Sequence, residues 1–189
     1  MAIPQEMPGS HNTLEMTRAR PNDLGVILAL FDEAVVWLVS HGLEKQWGTT
    51  PFSELPRMRE RLVAWIDQGI LFTARSHDQL VGTLVVSETA PEYVAHLWQS
   101  FPTSAFYLEA FMTARSRAGQ GIGRVALQWA EQHAIQANKT TLWLDCWAEN
   151  HALCHYYEQA GFIPQGEFFV GEWRGQLFEK LLPQLASPL

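Results

Sequence analysis

Between residues 115 and 124 the chain reads Arg115-Ser116-Arg117-Ala118-Gly119-Gln120-Gly121-Ile122-Gly123-Arg124. Three glycines alternate with other residues, and three arginines share the stretch with no acid. Glycine permits positive φ and lets the main chain approach a ligand closely. Successive amides in such a turn form an anion nest, and a helix starting there adds its dipole. In a chain of formal net charge -7, this local basic contrast points to phosphate. The dinucleotide fingerprint fails, because its final glycine would fall on Arg124 or Ala126, and no Gly-Lys-Ser/Thr follows. On its own, the segment is equally a turn that merely joins a strand to a helix.

Other residues carry chemistry of their own. Glu109 stands among Tyr107, Leu108, Ala110 and Phe111, where a charge is costly to bury without a role or a partner. Alternation along a strand places Tyr107, Glu109 and Phe111 on one face. The other reading of Glu109 is an edge residue in water or paired with an arginine. Cys146, His151, Cys154 and His155 cluster in sequence, but one sits on a strand and the rest on a short helix without zinc-like pairing. No metal is expected there, and Cys154 has no evident triad for an acyl relay. Trp47 follows Gln46 in a loop; it either lines a groove for a cationic ligand or anchors the loop on the core. Trp65 and Trp129 fall on apolar helix faces and read as core.

These residues need elements to hold them. Residues 14–18 alternate as a short strand. Pro21-Asn22-Asp23 looks like a helix start with Asn22 or Asp23 as N-cap, and Leu24, Ile27, Leu28, Phe31, Val35 and Leu38 keep helical spacing until Gly42. A loop over 45–55 leads to a second helix over 56–68, with Pro56 at its first position. Segments 70–75 and 80–88 read as a hairpin around Ser76-His77-Asp78-Gln79. Residues 90–104 have no clear assignment. A strand over 105–113 precedes the glycine segment, and a helix over 121–138 follows it. Then come a strand over 141–147, a short helix over 150–160 ended by Gly161, and two strands over 162–170 and 176–182. Residues 1–12 read as a loose lead-in, and 13–189 as a single domain. The order is that of a mixed α/β domain built on one sheet.

Length and composition set outer bounds. The 189 residues are 47% hydrophobic and 17% charged, which suits one domain with a sizeable core and excludes wholesale disorder. The excess of 20 Asp+Glu over 13 Lys+Arg argues against nucleic-acid binding and leans towards cationic partners. Two cysteines make no disulfide scaffold. No basic segment followed by an apolar one opens the chain, so no signal peptide is read. Leu24–Phe31, cut off by Asp32 and Glu33, is far short of the ~20 residues that span a bilayer. No membrane association is expected, and the cytoplasm is the expected compartment.

The run from Tyr107 to Gly123 resembles the acetyl-CoA-binding motif of the GNAT N-acetyltransferases, Arg/Gln-x-x-Gly-x-Gly/Ala. Further on, Leu144-Asp145-Cys146-Trp147-Ala148-Glu149-Asn150 and Tyr156-Tyr157-Glu158-Gln159-Ala160-Gly161-Phe162 resemble the second signature, Asn…Tyr-x-x-x-Gly-Phe. Each motif is weak alone; in this order on these elements they are specific, and with their flanks they cover about residues 13–183. The departure is Ala118, which stands where the family has Arg or Gln, leaving Arg115, Arg117 or Arg124 to supply charge.

The resemblance implies a twisted, mostly antiparallel sheet of about seven strands with helices on both faces. It implies transfer of an acetyl group from acetyl-CoA to a primary amine, small molecule or peptide, by direct attack in a ternary complex, with no metal. Same-fold alternatives are another acyl donor or acceptor, or a non-catalytic acyl-CoA sensor. Glu109 would be the base and Tyr157 the acid that protonates the thiolate. Phe111, Met112 and Thr113, at a splay or bulge, would receive the pantetheine arm and supply the oxyanion donor. Residues 117–124 (Arg117, Ala118, Gly119, Gln120, Gly121, Ile122, Gly123, Arg124) would hold the pyrophosphate, and Asn150 would help position the coenzyme or cap its helix. Gln46, Trp47 and Tyr107 would line the acceptor site. Pairing into a homodimer through the last strands is common in the family and is left open here.

Overall fold

The computed structural model describes residues 4–6, 13–98 and 104–183. Its elements in chain order are β1 (Pro4–Glu6), β2 (Thr13–Arg18), α1 (Leu24–Ser40), α2 (Pro56–Asp67), β3 (Leu71–Ser76), β4 (Gln79–Ser87), α3 (Ala95–Trp98), β5 (Ala105–Thr113), α4 (Ile122–Gln136), β6 (Thr141–Trp147), α5 (His151–Gln159), β7 (Ile163–Val170) and β8 (Trp173–Leu181). The chain divides into two compact units, Met1–Val85 with Ala110–Trp129, and Val86–Glu109 with Ala130–Leu189. β5 therefore gives its last residues to the first unit and its earlier ones to the second. Among the described residues no helix is long and apolar enough to cross a membrane.

In the first unit β1, β2, β3 and β4 pair antiparallel in sequence order. β1 is an addition to the seven expected strands and falls inside the stretch read as a lead-in; Pro4–Glu6 pairs with Thr13–Glu15. Residues 7–12 of that stretch lie outside the described residues. The hairpin between β3 and β4 turns on His77 and Asp78, with φ of 47° and 64°, the left-handed pair that matches strand twist. β4 then meets the end of β5, where the Ala114 N–H donates to the Val81 carbonyl at 2.8 Å.

Neighbours on a strand point to opposite faces, so Leu71 and Phe72 serve different layers. Leu71 joins Ile27, Phe31, Leu62, Trp65, Val85 and Met112 in the core beneath α1 and α2. Phe72 meets Trp129 of α4, ring centroids 4.6 Å apart. The unit thus has helices on both faces of its sheet, and Trp65 and Trp129 are core as expected. Asp23 stands at the N-cap position of α1, one of the two residues expected there. A 3-10 turn, Pro21–Asp23, precedes the helix, and the Asp23 side chain makes no cap bond to α1. Its carboxylate instead accepts from the Arg20 N–H at 2.9 Å and pairs with Arg75 at 2.5 Å.

In the second unit β5 and β6 run parallel, and β6, β8 and β7 follow antiparallel. One face packs on α5 and the end of α4: the rings of Tyr157 and Phe178 lie 5.7 Å apart, and those of Phe106 and His133 5.8 Å. Lys180 of β8 ties this side together, reaching Glu131 Oε1 and the Ala160 carbonyl, each at 2.6 Å. Over the other face lie a 3-10 turn, Glu92–Val94, and α3, both within the 90–104 stretch that has no assignment from sequence. They close an aromatic-rich cluster of Val94, Ala105, Tyr107, Trp143, Phe168 and Leu177.

Candidate active site

The parallel ladder of β5 and β6 pairs Ala105 with Thr141 and continues to Leu108 with Leu144, where it stops. Both strands go on, β5 to Thr113 and β6 to Trp147. Just past the last pair Ala110 takes φ of +48°, a left-handed conformation rare for a residue with a Cβ. This left-handed residue puts a bulge in β5 immediately before Phe111–Thr113. It also interrupts the pleat after Glu109, so Phe111 does not simply continue the face of Tyr107 and Glu109. Ala110 is held by the Thr83 hydroxyl, which donates to its carbonyl at 2.8 Å.

Beyond the bulge, β5 leans on β4 through the even-numbered residues. The Met112 carbonyl lies against Gly82, and Ala114 bonds Val81. Main-chain groups alternate sides along a strand, so those of Phe111 and Thr113 face the opposite edge. Phe111 and Thr113 are half-buried, and Met112 is buried.

β5 then passes into a 3-10 turn, Arg115–Arg117, and the glycine segment. Gly119 and Gly121 have φ of 78° and 75°, so the two glycines are required by conformation. Ala118, Gly119 and Gln120 are exposed. The amides of Arg117, Ala118, Gln120 and Val125 bond main-chain carbonyls. Among the described residues, those of Gly119, Gly121, Ile122, Gly123 and Arg124 bond no main-chain carbonyl, the last three because they form the first turn of α4. Unsatisfied donors on an open turn at a helix N-terminus form an anion cradle.

The arginines divide. Arg115 lies over the Trp37 ring at 4.7 Å and donates to the Thr113 hydroxyl at 3.3 Å. Arg117 donates to Gln79 Oε1 at 2.8 Å. Arg124 is exposed beside Gly121 and makes no hydrogen bond or ion pair among the described residues, which leaves its charge available for a phosphate.

In the second unit Tyr157 is buried on α5, its ring 6.0 Å from Phe162 and 5.7 Å from both Tyr156 and Phe178. Burial, then the neighbouring Cys146 and Tyr156, hold its phenol well above the usual tyrosine range, so it stays protonated. Asn150 caps α5, its side-chain oxygen accepting from the Leu153 N–H at 3.1 Å. Glu109 is half-buried at the end of the ladder. Tyr107 is fully buried and donates to Asp145 Oδ1 at 2.6 Å; Tyr93 donates to the same oxygen at 3.0 Å. Neither Asp145 nor Tyr93 stands out in the sequence, since nothing in a one-dimensional pattern pairs a turn at 93 with a strand at 145.

Trp47, in the first unit, stacks on Phe31 at 5.8 Å and lies 5.5 Å from Phe52, the loop-anchor arrangement. Gln46 ends the adjoining 3-10 turn, half-buried. Among the described residues no cluster suits a metal ion. The sulfurs of Cys146 and Cys154 lie 3.6 Å apart, while the His155 ring turns to Gln159 and Glu158.

The model of the acetyltransferase (GNAT) family matches residues 33–162. A curated relative named "Uncharacterized N-acetyltransferase YesJ", from Bacillus subtilis (strain 168), is 28% identical over 160 residues, 84% of each chain. Among solved structures, a GNAT-family acetyltransferase from Listeria monocytogenes 4b F2365 superposes with a TM-score of 0.75 at 22% identity, covering 95% of this chain and all of its own. The structure of yncA from Salmonella typhimurium with its cofactor acetyl-CoA gives 0.63 at 16% identity, covering 95% of this chain and 98% of its own.

Proposed function

Since the chain belongs to the acetyltransferase (GNAT) family and is an acyltransferase, we propose that it moves the acetyl group of acetyl-CoA onto a primary amine by direct attack in a ternary complex. The observation that carries this reading is the open turn at Gly119 and Gly121, whose amides run into the start of α4. Those amides and the Arg124 guanidinium would take the pyrophosphate, Arg124 standing in for the charge that Ala118 lacks. Arg117 contributes less, being engaged with Gln79. That yncA is solved with acetyl-CoA supports the same coenzyme here.

A protonated alkyl amine, with pKa of about 10.4, has no lone pair to offer. Glu109 takes the proton, directly or through water. The amine nitrogen attacks the thioester carbonyl, and a main-chain N–H of the Phe111–Thr113 stretch receives the oxyanion, whose charge is best stabilised by fixed dipoles. Collapse breaks the carbon–sulfur bond, the Tyr157 hydroxyl donates to the departing thiolate, and the second proton of the former amine nitrogen is passed on to restore the phenol, so that one net proton, the one on Glu109, returns to solvent. Burial holds this phenol protonated, so it meets the thiolate as a hydrogen-bond donor. Asn150 steadies the coenzyme while it caps α5, and Gln46 lines the acceptor side; Trp47, packed on Phe31 and Phe52, and the fully buried Tyr107 serve as supports and not as contacts. The acceptor is a small-molecule or peptide amine, and the working compartment is the cytoplasm.

Two measurements test this together. Acetyl-CoA should raise the melting temperature in a saturable way, because a ligand that binds only the folded state stabilises it by mass action. Thiol release from acetyl-CoA should then depend on an added amine. No stabilisation and no release across a broad amine panel would reject the reading.

A further inference from the structure

Past the bulge at Ala110, β5 is held by β4 at Met112 and Ala114, while its ladder with β6 has already ended at Leu108. The position of the Phe111–Thr113 edge therefore depends on what fastens the end of the strand. Within the first unit α1 does so. Asp32 and Glu33, the acids that interrupt the apolar run of α1, each accept a main-chain N–H from a 3-10 turn. Asp32 takes Ser53 of the turn Phe52–Glu54 at 3.0 Å, and Glu33 takes Ser116 of the turn Arg115–Arg117 at 3.3 Å. Trp37 follows Glu33 by one helical turn and so lies on the same side of α1. Its ring takes the Arg115 guanidinium, 4.7 Å from the centroid. Two neighbouring positions of one helix thus grip the turn that leads into the glycine segment.

Arg115 is held by a ring and a hydroxyl and not by a carboxylate. Its Nη2 donates to the Thr113 hydroxyl at 3.3 Å, and its Nε is buried with no hydrogen-bond partner among the described residues. An arginine free to follow its preference would keep that donor in water, because a buried donor without a partner costs free energy. What the arrangement secures is geometry: the rigid guanidinium fork spans a helix-borne ring and the last residue of β5. The indole is itself braced. The His41 ring stacks on it at 4.1 Å, and His41 Nδ1 lies 2.8 Å from the Trp37 carbonyl.

We infer that Arg115 and Trp37 are positioning residues for the coenzyme. The ring fixes the guanidinium, the guanidinium fixes the Thr113 hydroxyl, and the Phe111–Thr113 edge is thereby set against the amides of the glycine turn. This rests on the acetyl-CoA reading and adds α1 to the parts that hold the coenzyme. Arg115 acts on the pantetheine edge through Thr113, whereas the exposed Arg124 acts on phosphate by its charge. Salt tells the two roles apart, since an exposed charge is screened and a fixed geometry is not.

The test measures coenzyme A affinity by calorimetry at several salt concentrations, with urea unfolding alongside, on the intact protein and on Trp37→Ala, Trp37→Phe, Thr113→Val and Arg115→Ala. Trp37→Ala and Thr113→Val remove no charge, yet each should weaken binding, on the order of fivefold, and keep the salt slope of wild type. Trp37→Phe retains a ring face and should recover most of that loss. The double variant Trp37→Ala/Thr113→Val should lose little more than either single one, because both break the same linkage. Thr113→Val suits a strand and keeps the test decisive if Trp37→Ala fails to fold. Additive losses overturn the inference, as does lowered stability with unchanged affinity in the folded protein, which marks a structural tie. A salt slope flattened in Arg115→Ala as far as in Arg124→Ala also overturns it, by making Arg115 a phosphate contact. Wild type that binds no coenzyme A would instead reject the acetyl-CoA reading, and this inference with it.

Discussion

The carbonyl oxygen of Met112 lies 2.7 Å from the point a Cβ on Gly82 would occupy, so β4 and β5 meet there with no room for a side chain. A backbone oxygen cannot swing aside as the end of a flexible side chain can. The contact fixes the strand that carries the candidate oxyanion donor.

Replacing Gly82 with Ala should therefore act through β5. The added methyl must push Met112 away or distort β4, and overpacking of this kind costs about 1–3 kcal/mol. Urea unfolding should show the lower stability. In the surviving folded fraction acetyl-CoA affinity should fall, because the Phe111–Thr113 edge moves with Met112. A variant with unchanged stability and unchanged affinity would show that the strand tolerates the shift and does not set the site.

Much of this arrangement is legible in the order of residues alone. Gly119 and Gly121 announce their left-handed turn, since no other residue type adopts it at so little cost. The hydrophobic periods of α1 and β6 give those elements within a residue or two of their observed ends. What stays hidden is tertiary. Ala110 carries no mark of its positive φ, and the Thr83 hydroxyl that bonds its carbonyl comes from another strand. Asp23 reads as a cap because capping is local, whereas Arg75 comes from fifty-two residues away. Tyr93 sits in a stretch with no periodicity, and its bond to Asp145 and its stacking on Phe168 arise from tertiary packing.

At the glycine turn, conformation and charge can be separated by substitution. Gly119→Ala and Gly121→Ala each force a Cβ into the left-handed region, a cost of about 1–2 kcal/mol. Both positions are open to space or to the tip of Arg124, so the cost is conformational and not a clash. Acetyl-CoA binding should weaken in both variants with modest loss of stability. Arg124→Ala should weaken binding and flatten its dependence on salt, because a screened charge has been removed. Arg117→Ala should do less. Equal affinity in the Arg124 and Arg117 variants and in wild type would show that neither arginine holds the coenzyme.

Tyr157 offers a test of the acid step. Phe at this position keeps the ring contacts with Phe162 and Phe178 and removes only the hydroxyl. If that hydroxyl donates to the leaving thiolate, turnover should drop by roughly 10²–10⁴, the span typical of a lost acid–base group. Acetyl-CoA affinity measured by calorimetry should stay within a few-fold. Wild-type turnover in the Phe variant would dismiss Tyr157 as the proton donor, and a matched loss of binding would recast it as a packing residue.

The same buried phenols govern behaviour at high pH. Tyr107 is raised by burial and then by Asp145, Tyr157 by burial and then by Cys146, and the Cys146 thiol by burial and then by Cys154. Each group is protonated in the folded state at pH values where the unfolded chain ionises, near about 10 for a phenol and about 8.5 for a thiol. Raised folded values mean that the full stabilisation is present below those unfolded values and is lost as pH climbs towards the folded ones. Unfolding free energy should thus be flat near neutrality and decline from about pH 9 upward. The slope approaches about 1.4 kcal/mol per pH unit for each proton retained by the folded form. Tyr107→Phe and Tyr157→Phe should each make the decline shallower by one proton's share, and Cys146→Ser should move its onset upward. Urea midpoints collected across the alkaline range give the curve directly; a profile that stays level to about pH 11 would mean that water reaches these groups in the folded state and that none of them is held protonated by burial.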